Sequence, residues 1–240
     1  MNPFESTIPF RNLFVGENKK PTFILISAPF LLITYKYFGS PDSPVTNFAL
    51  GYITFDHEQI VPFLYSFLAS FLLLGVVPSL IVKWAFHEPL FKYGVRLGDI
   101  RFGSKAFLIL APVIIILAYA SSRMDSFIAE YPLYKGVRGS LGIFVPYAFS
   151  YALYYLGYEF FFRGYMQFGL RDSLGDWNAI LVQTLASSLL HIGKPACEIY
   201  GSVVAGILWG VIAFRTQSLL FILLLHWLLG ISVDVFITHL

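Results

Sequence analysis

Seven long apolar segments constrain this chain more than any other feature of its sequence. A helix needs about 20 mostly apolar residues to cross the hydrocarbon core of a bilayer. Because 57% of the residues are hydrophobic and only 12% are charged, the chain cannot cover a water-facing surface. We therefore predict an all-α, polytopic membrane helix bundle of about seven transmembrane helices. The predicted spans are 22–38, 60–84, 105–121, 141–168, 177–192, 197–214 and 217–238.

No linker or internal repeat divides the sequence, so we expect a single integral-membrane domain over 1–240. We expect spans and loops of the N-terminal part in 1–140 and the last four helices, which form the core of the bundle, in 141–240. The net charge of +2 gives no reason to expect a nucleic-acid partner. The single cysteine, Cys197, excludes an internal disulfide and a four-cysteine metal site.

The distribution of Lys and Arg predicts the orientation, because these residues are enriched in cytoplasmic loops. Ten lie on the side of the N-terminus and five on the other side, with Arg163 left out because it falls within a span. We therefore predict a multi-pass protein of the cell inner (plasma) membrane with a cytoplasmic N-terminus. The ten residues are Arg11, Lys19, Lys20, Lys83, Lys92, Arg96, Arg101, Lys105, Arg171 and Arg215.

A pair of opposite charges stands inside the fourth apolar segment. Glu159 and Arg163 are four residues apart, so a helix would place them on the same face, where they can pair. A charge near the centre of a bilayer costs roughly 3 kcal/mol, so a chain that keeps one there usually uses it. The alternative interpretation is a structural ion pair that ties two helices together.

Further polar residues lie at comparable depth. Helical rise places Glu159 roughly 18 Å and His191 roughly 21 Å from their connecting turn, and His226 roughly 15 Å from the next turn. Glu198 and Asp234 lie roughly 27 Å from that turn, nearer the outer end. These residues can therefore line one cavity between helices.

A carboxylate and two imidazoles can activate a water and stabilise an oxyanion, which is the chemistry of a hydrolase. The same residue types also suit a catalytic zinc, but the sequence has no H-E-x-x-H helix. Ser187, four residues before His191, is a weaker candidate for a nucleophile. The small residues Ser202, Gly206 and Gly210 indicate close helix packing. No cofactor is predicted.

Over about its last 100 residues the chain resembles the CAAX-protease and bacteriocin-processing (CPBP, or ABI) family of intramembrane proteases. The family's first motif is Glu-Glu-x-x-x-Arg, usually followed by Gly, and Glu159, Arg163 and Gly164 match its second Glu, its Arg and its Gly. His191 matches the helix-borne His of the second motif, and His226 stands where the His of the third motif, H-x-x-x-Asn/Asp, belongs.

The chain also departs from the family pattern at three positions. Tyr158 replaces the first Glu of the family, which the resemblance implies would activate the water, Ser187 replaces the Phe of the second motif, and Gly230 replaces the Asn or Asp of the third. Three explanations stay open: Glu159 activates the water itself, Glu198 or Asp234 substitutes for the missing groups, or the chain has lost proteolysis and kept the fold.

We therefore predict an intramembrane endopeptidase of the glutamate type that cleaves a membrane-anchored protein or peptide. Glu159 would be the general base, oriented by Arg163; His191 would share the water and His226 would stabilise the oxyanion, with Tyr158, Glu198 and Asp234 as possible auxiliaries. The expected partners are this substrate and the lipid bilayer. The main alternative is an inactive membrane binding or immunity protein, and a transporter is the third possibility.

Overall fold

The computed structural model describes residues 13–50 and 60–239, and all regular secondary structure in these ranges is helical. Arg11, one of the ten residues in the charge count, lies outside them. The α-helices are α1 (Lys19–Thr34), α2 (Pro44–Leu50), α3 (Val61–Ser70), α4 (Val77–Trp84), α5 (Ile100–Ser121), α6 (Asp125–Glu130), α7 (Leu141–Glu159), α8 (Gly169–Leu190), α9 (Ala196–Thr216) and α10 (Leu220–His239). Three π-helical segments, Tyr35–Gly39, Phe71–Val76 and Phe160–Phe168, extend or join them.

The prediction of a helical membrane bundle is confirmed. Five helices among the described residues have the length and composition to cross a membrane: Gly16–Thr46, Val61–Trp84, Ile100–Ser121, Ala196–Thr216 and Leu220–His239. The two other predicted spans, 141–168 and 177–192, are also helical but are not among these five. Helix α7 carries five tyrosines, and the first two turns of α8 contain Arg171, Asp172 and Asp176.

The distribution of side chains is that of a protein surrounded by lipid. Helix α5 exposes Leu108, Ile109 and Ile116 on its outer face, whereas small or apolar residues such as Ala118 face the interior. Charged and amide side chains are buried in the centre of the bundle. This group consists of Glu159, Arg163, Gln167, Gln183 and Asp234. The interior is thus where the chain keeps its polar groups, as expected of a bilayer protein.

Helix α7 and the π-helical segment Phe160–Phe168 occupy the centre of the bundle. Every residue of Phe160–Phe168 is buried, and the segment contacts α1, α4, α8 and α9. Small residues let α7 approach its neighbour closely: the Cα of Gly157 lies 3.3 Å from a Cβ built on Gly75, and Ser70 Oγ donates a hydrogen bond of 3.1 Å to the Tyr154 carbonyl. The position of Glu159 is therefore fixed by backbone packing on the preceding turn.

Helices α8 and α9 pack through the stripe of small residues, as the sequence predicted. A Cβ on Gly206 would lie 2.7 Å from the Thr184 side chain, so only glycine fits at this separation. The short distance also lets Gln183 Nε2 donate to the Gly206 carbonyl and Gln167 Nε2 donate to the Gly210 carbonyl, each at 2.9 Å. The bond from Gln183 joins α8 to α9, whose ends carry His191 and Glu198, and the bond from Gln167 joins the Phe160–Phe168 segment to α9.

Candidate active site

Glu159 lies at the junction of α7 and the π-helical segment, a type of segment that is frequent at functional sites. Arg163 Nη1 donates to Glu159 Oε1 at 3.3 Å, so the two charges pair as their spacing predicted. Their side chains are only 1% and 2% exposed. Because a buried carboxylate is costly without a partner, Arg163 stabilises the ionised form of Glu159.

His226 of α10 shares the same carboxylate oxygen. Its Nδ1 lies 2.5 Å from Glu159 Oε1, and the imidazole side chain keeps 16% of its exposure. A carboxylate oxygen accepts, so Nδ1 carries the proton and Nε2 is the nitrogen that remains for other contacts. Among the described residues, Glu159 Oε2 has no hydrogen-bond partner. Glu159 is therefore positioned to orient the His226 ring.

His191 stands at the C-terminal end of α8, where the helix gives way to a turn. Its Nδ1 lies 2.8 Å from the carbonyl oxygen of Ser187 one turn earlier. Because a carbonyl only accepts, this contact places the proton on Nδ1 and leaves Nε2 of the neutral ring as an acceptor. Ser187 Oγ donates to the Thr184 carbonyl at 3.1 Å, so the hydroxyl considered as a nucleophile is engaged with the backbone.

Both imidazoles border a cavity of 630 Å³ at the end of the bundle formed by the C-terminus of α1, the N-terminus of α3 and the 122–140 and 191–195 loops. Of the described site residues, Tyr158, His191, His226 and Glu198 line this cavity, whereas Glu159, Arg163 and Asp234 do not. The wall is rich in tyrosines, and its charged residues are Lys36, Asp42, Glu130, Lys135, Lys194 and Glu198.

Tyr158 contacts both histidines. It stands where the CPBP family, which the sequence resembles, has the first Glu of its first motif. Its ring centroid lies 6.1 Å from that of His191 and 5.3 Å from that of His226, each in an edge-to-face arrangement. The Arg163 guanidinium lies 5.7 Å from the same ring, within the range of a cation–π interaction. Tyr158 thus separates Arg163 from the cavity and keeps the two imidazoles in position.

Glu198 and Asp234 have different surroundings. Glu198 lines the cavity and accepts hydrogen bonds from the Tyr131 hydroxyl at 2.8 and 2.9 Å. Burial, reinforced by the Glu198 carboxylate, raises the pKa of the Tyr131 hydroxyl well above its usual range, so this donor keeps its proton. Asp234 is fully buried beside Tyr147, and neither of its oxygens has a hydrogen-bond partner among the described residues. Glu198 is therefore the only one of the two that faces the cavity.

Tyr155, which no motif in the sequence marks, is also part of this site. The Tyr155 ring lies 4.7 Å from the His226 ring, centroid to centroid, and lines the cavity. Its phenol oxygen lies 2.0 Å from the position that a Cβ on Gly230 would take, so the two cannot both be present without a shift. The signal in the sequence is Gly230 itself, four residues after His226 on the same helix face, where a missing side chain leaves room for a neighbour.

The zinc interpretation can be compared with the same geometry. Within residues 13–50 and 60–239, no group of three or more His, Cys, Asp or Glu side chains is arranged to hold a metal ion. His226 Nδ1 is directed at Glu159 and His191 Nδ1 at a carbonyl. Arg163, Glu159 and His226 thus form one hydrogen-bonded group, and His191 is bonded to the backbone of its own helix.

Comparison with known proteins supports the predicted resemblance. Residues 140–231 match the Rce1-like family, described as type II CAAX prenyl endopeptidase Rce1-like. This segment of the chain is therefore similar to the Rce1-like family, and it contains Glu159, Arg163, His191 and His226. No curated protein and no solved structure gives a significant match to the chain.

Proposed function

We propose that this chain is an intramembrane endopeptidase that hydrolyses a peptide bond of a membrane-associated protein or peptide. At the family level, the match of residues 140–231 supports a CAAX-type protease. The observation that carries the proposal is the Glu159–His226 pair, whose imidazole lines the same 630 Å³ cavity as His191. A buried carboxylate behind an imidazole is an arrangement suited to general base catalysis.

In the proposed reaction, Glu159 acts through His226. The carboxylate accepts from Nδ1–H and leaves Nε2 of His226 free to take a proton from a water in the cavity. The imidazolium that forms lies next to the buried carboxylate, which stabilises its charge. This assignment refines the expectation that Glu159 itself contacts the water, because the Glu159 side chain is only 1% exposed and does not line the cavity.

His191 supplies a second acceptor for the same water. With Nδ1–H directed to the Ser187 carbonyl, Nε2 can accept one O–H of the water while His226 accepts the other. The lone pairs of the water oxygen then attack the carbonyl carbon of the substrate, and a tetrahedral oxyanion forms. His226 afterwards gives its proton to the amide nitrogen as the C–N bond breaks, so the catalyst returns to its starting state.

One observation favours the alternative of an inactive binding or immunity protein. Glu159 Oε1 is shared by Arg163 and His226 in a buried network. A network of this kind can hold α7 and α10 together without any catalytic role. Under that alternative, the histidines contribute to stability and no peptide bond is cleaved.

The test uses the purified full-length chain in lipid nanodiscs with a fluorescence-quenched prenylated CAAX peptide and a panel of membrane-anchored peptides. His226→Asn and His191→Asn should each lower kcat roughly 100-fold or more, because general acid–base catalysis contributes about 10²–10⁴ in rate. His87→Asn is the matched control, since His87 is exposed in a loop on the opposite side of the bundle and has a left-handed φ of 55° that Asn tolerates.

Glu159→Gln should abolish cleavage as well, but it also leaves the Arg163 charge buried without a carboxylate. Breaking such a pair costs about 3–5 kcal/mol, so the melting temperature of this variant must be measured to distinguish loss of catalysis from loss of folding. Wild-type turnover in both histidine variants, measured with a peptide that the wild type cleaves, would overturn the proposed mechanism. Absence of cleavage by the wild type, with a large stability loss in His226→Asn, would instead favour the binding protein.

A further inference from the structure

Gly230 and Tyr155 form a complementary pair next to His226. A Cβ built on Gly230 would lie 2.0 Å from the phenol oxygen of Tyr155, far inside van der Waals contact. Residue 230 follows His226 by four positions, so it lies one turn further along α10 on the same face. The hydroxyl of Tyr155 therefore stands where a polar side chain of residue 230 would otherwise stand.

Packing fixes the Tyr155 ring in this position. Its centroid lies 4.7 Å from His226, 4.8 Å from Tyr151 and 5.3 Å from Tyr154, and the residue is only 4% exposed. The ring nevertheless lines the cavity that His226 and His191 border. A Tyr side chain has few rotatable bonds, so a ring held on three sides places its hydroxyl with little freedom.

We propose that the Tyr155 hydroxyl donates a hydrogen bond to the oxyanion of the tetrahedral intermediate, in the place of a side chain at position 230. This inference rests on the proposed function. No proton is transferred in this step: the carbonyl oxygen gains charge when the water oxygen bonds to the carbon, and the phenol O–H points at that charge until the C–N bond breaks. A fixed donor aimed at developing charge is among the most effective catalytic devices in a cavity of low dielectric.

The neighbouring hydroxyl supports the direction of this hydrogen bond. Tyr151 approaches the Tyr155 hydroxyl and can donate to its oxygen. A phenol oxygen that accepts in this way has its own O–H left for another acceptor. Tyr155 thus donates to the oxyanion in the place of His226, for which the sequence predicted this role. His226 is then available as the base.

The test compares Tyr155→Phe with the wild type in nanodiscs. Removal of one oxyanion donor costs about 10²–10³ in kcat, so kcat should fall roughly 100-fold while KM changes less than threefold. Tyr119→Phe is the control, because Tyr119 is half-exposed on α5 and does not line the cavity. A phosphinic peptide, which mimics the charged tetrahedral intermediate, should bind Tyr155→Phe roughly 100-fold more weakly than it binds the wild type.

A non-cleavable analogue of the planar amide should bind both proteins equally. Equal weakening of both ligands would indicate a structural role and overturn the proposal, as would a kcat within threefold of the wild type. Gly230→Ala should displace the phenol and lower kcat, and in the Tyr155→Phe background it should lower kcat little further. Independent losses from the two substitutions would contradict the inference.

The two proposals fail in different ways. If the wild type cleaves, His226→Asn does not and Tyr155→Phe does, then only the assignment of Tyr155 is wrong. If His226→Asn and His191→Asn also cleave like the wild type, the acid–base mechanism itself is wrong.

Discussion

The close approach of α7 to the junction of α3 with the π-helical segment Phe71–Val76 gives a quantitative prediction for Gly157→Ala. A Cβ at this position would lie 2.3 Å from the Ser70 carbonyl oxygen, 2.6 Å from its carbon and 2.9 Å from the Phe71 Cα. All three atoms belong to the backbone, so no side chain can rotate away. The helices must separate, and Glu159, two residues further along, must move with them.

The magnitude follows from two opposing terms. Overpacking that shifts backbone costs about 1–3 kcal/mol, and the rigid obstacle here points to the upper end. Replacing Gly by Ala inside a helix gains about 1 kcal/mol. The net loss in free energy of unfolding is therefore about 2 kcal/mol, which corresponds to a melting temperature about 4–8 °C lower for a chain of this size.

The matched control is Gly201→Ala in α9. A Cβ on Gly201 would meet no atom within 4 Å, so this variant keeps the gain in helix propensity without the clash. We expect its melting temperature in detergent, measured by intrinsic fluorescence, to equal or exceed that of the wild type. Equal melting temperatures for the two variants would refute the reasoning, because they would show that α7 and Ser70 are not in contact.

Two further predictions follow from other contacts. Gly206→Ala should lower the melting temperature by a few degrees, because its Cβ would lie 2.7 Å from the buried Thr184 side chain. Glu88 accepts hydrogen bonds from Lys20 at 2.8 Å and Tyr93 at 2.5 Å. Burial raises the pKa of Glu88, but these bonds lower it more, so that the pKa lies below its usual range. The ionised Glu88 therefore stabilises the fold above its unfolded pKa of about 4.3, and this contribution is lost as the pH falls through the folded pKa. Glu88→Gln should accordingly melt at a lower temperature than the wild type at pH 7, and the difference should be smaller at about pH 3.5.

Most of the architecture can be predicted from the sequence, because helices that cross lipid must be mostly apolar over their whole length. Apolar runs of spanning length mark the helices, and small residues at spacing four mark the contact of α8 with α9. Helix α7 is not among the five helices that hydropathy identifies, although its tyrosine rings face the bundle interior and the cavity and not lipid. Hydropathy measures the residue and not its direction, so it underestimates such a helix.

The contacts of the candidate site can be predicted from the sequence only in part, because some of them join distant residues. The pairing of Glu159 with Arg163 is local, so spacing predicts it. The contact of Glu159 with His226 joins residues 67 positions apart, and helical rise gives their depth but not which face of α10 turns inward. The fit of Tyr155 over Gly230 depends on the absence of a side chain, and the π-helical segment after Glu159 has no sequence signature that the analysis could use.

The distribution of Lys and Arg residues predicts the side of the membrane to which the cavity opens. The cavity lies at the end of the bundle that carries the 122–140 and 191–195 loops. Five Lys and Arg residues lie on this side against ten on the other, so we expect the cavity to face outward and the N-terminus to face the cytoplasm.

The chain carries a natural reporter for this orientation. Cys197 is its single cysteine, it is exposed, and it lies between Lys194 and Glu198, which both line the cavity. A membrane-impermeant maleimide added to intact spheroplasts should therefore label the wild type and not Cys197→Ser. A membrane-permeant maleimide should label the wild type in either orientation, which controls for access to the thiol. Labelling by the impermeant reagent only in inverted vesicles would reverse the orientation, and the substrate would then have to reach the histidines from the cytoplasm.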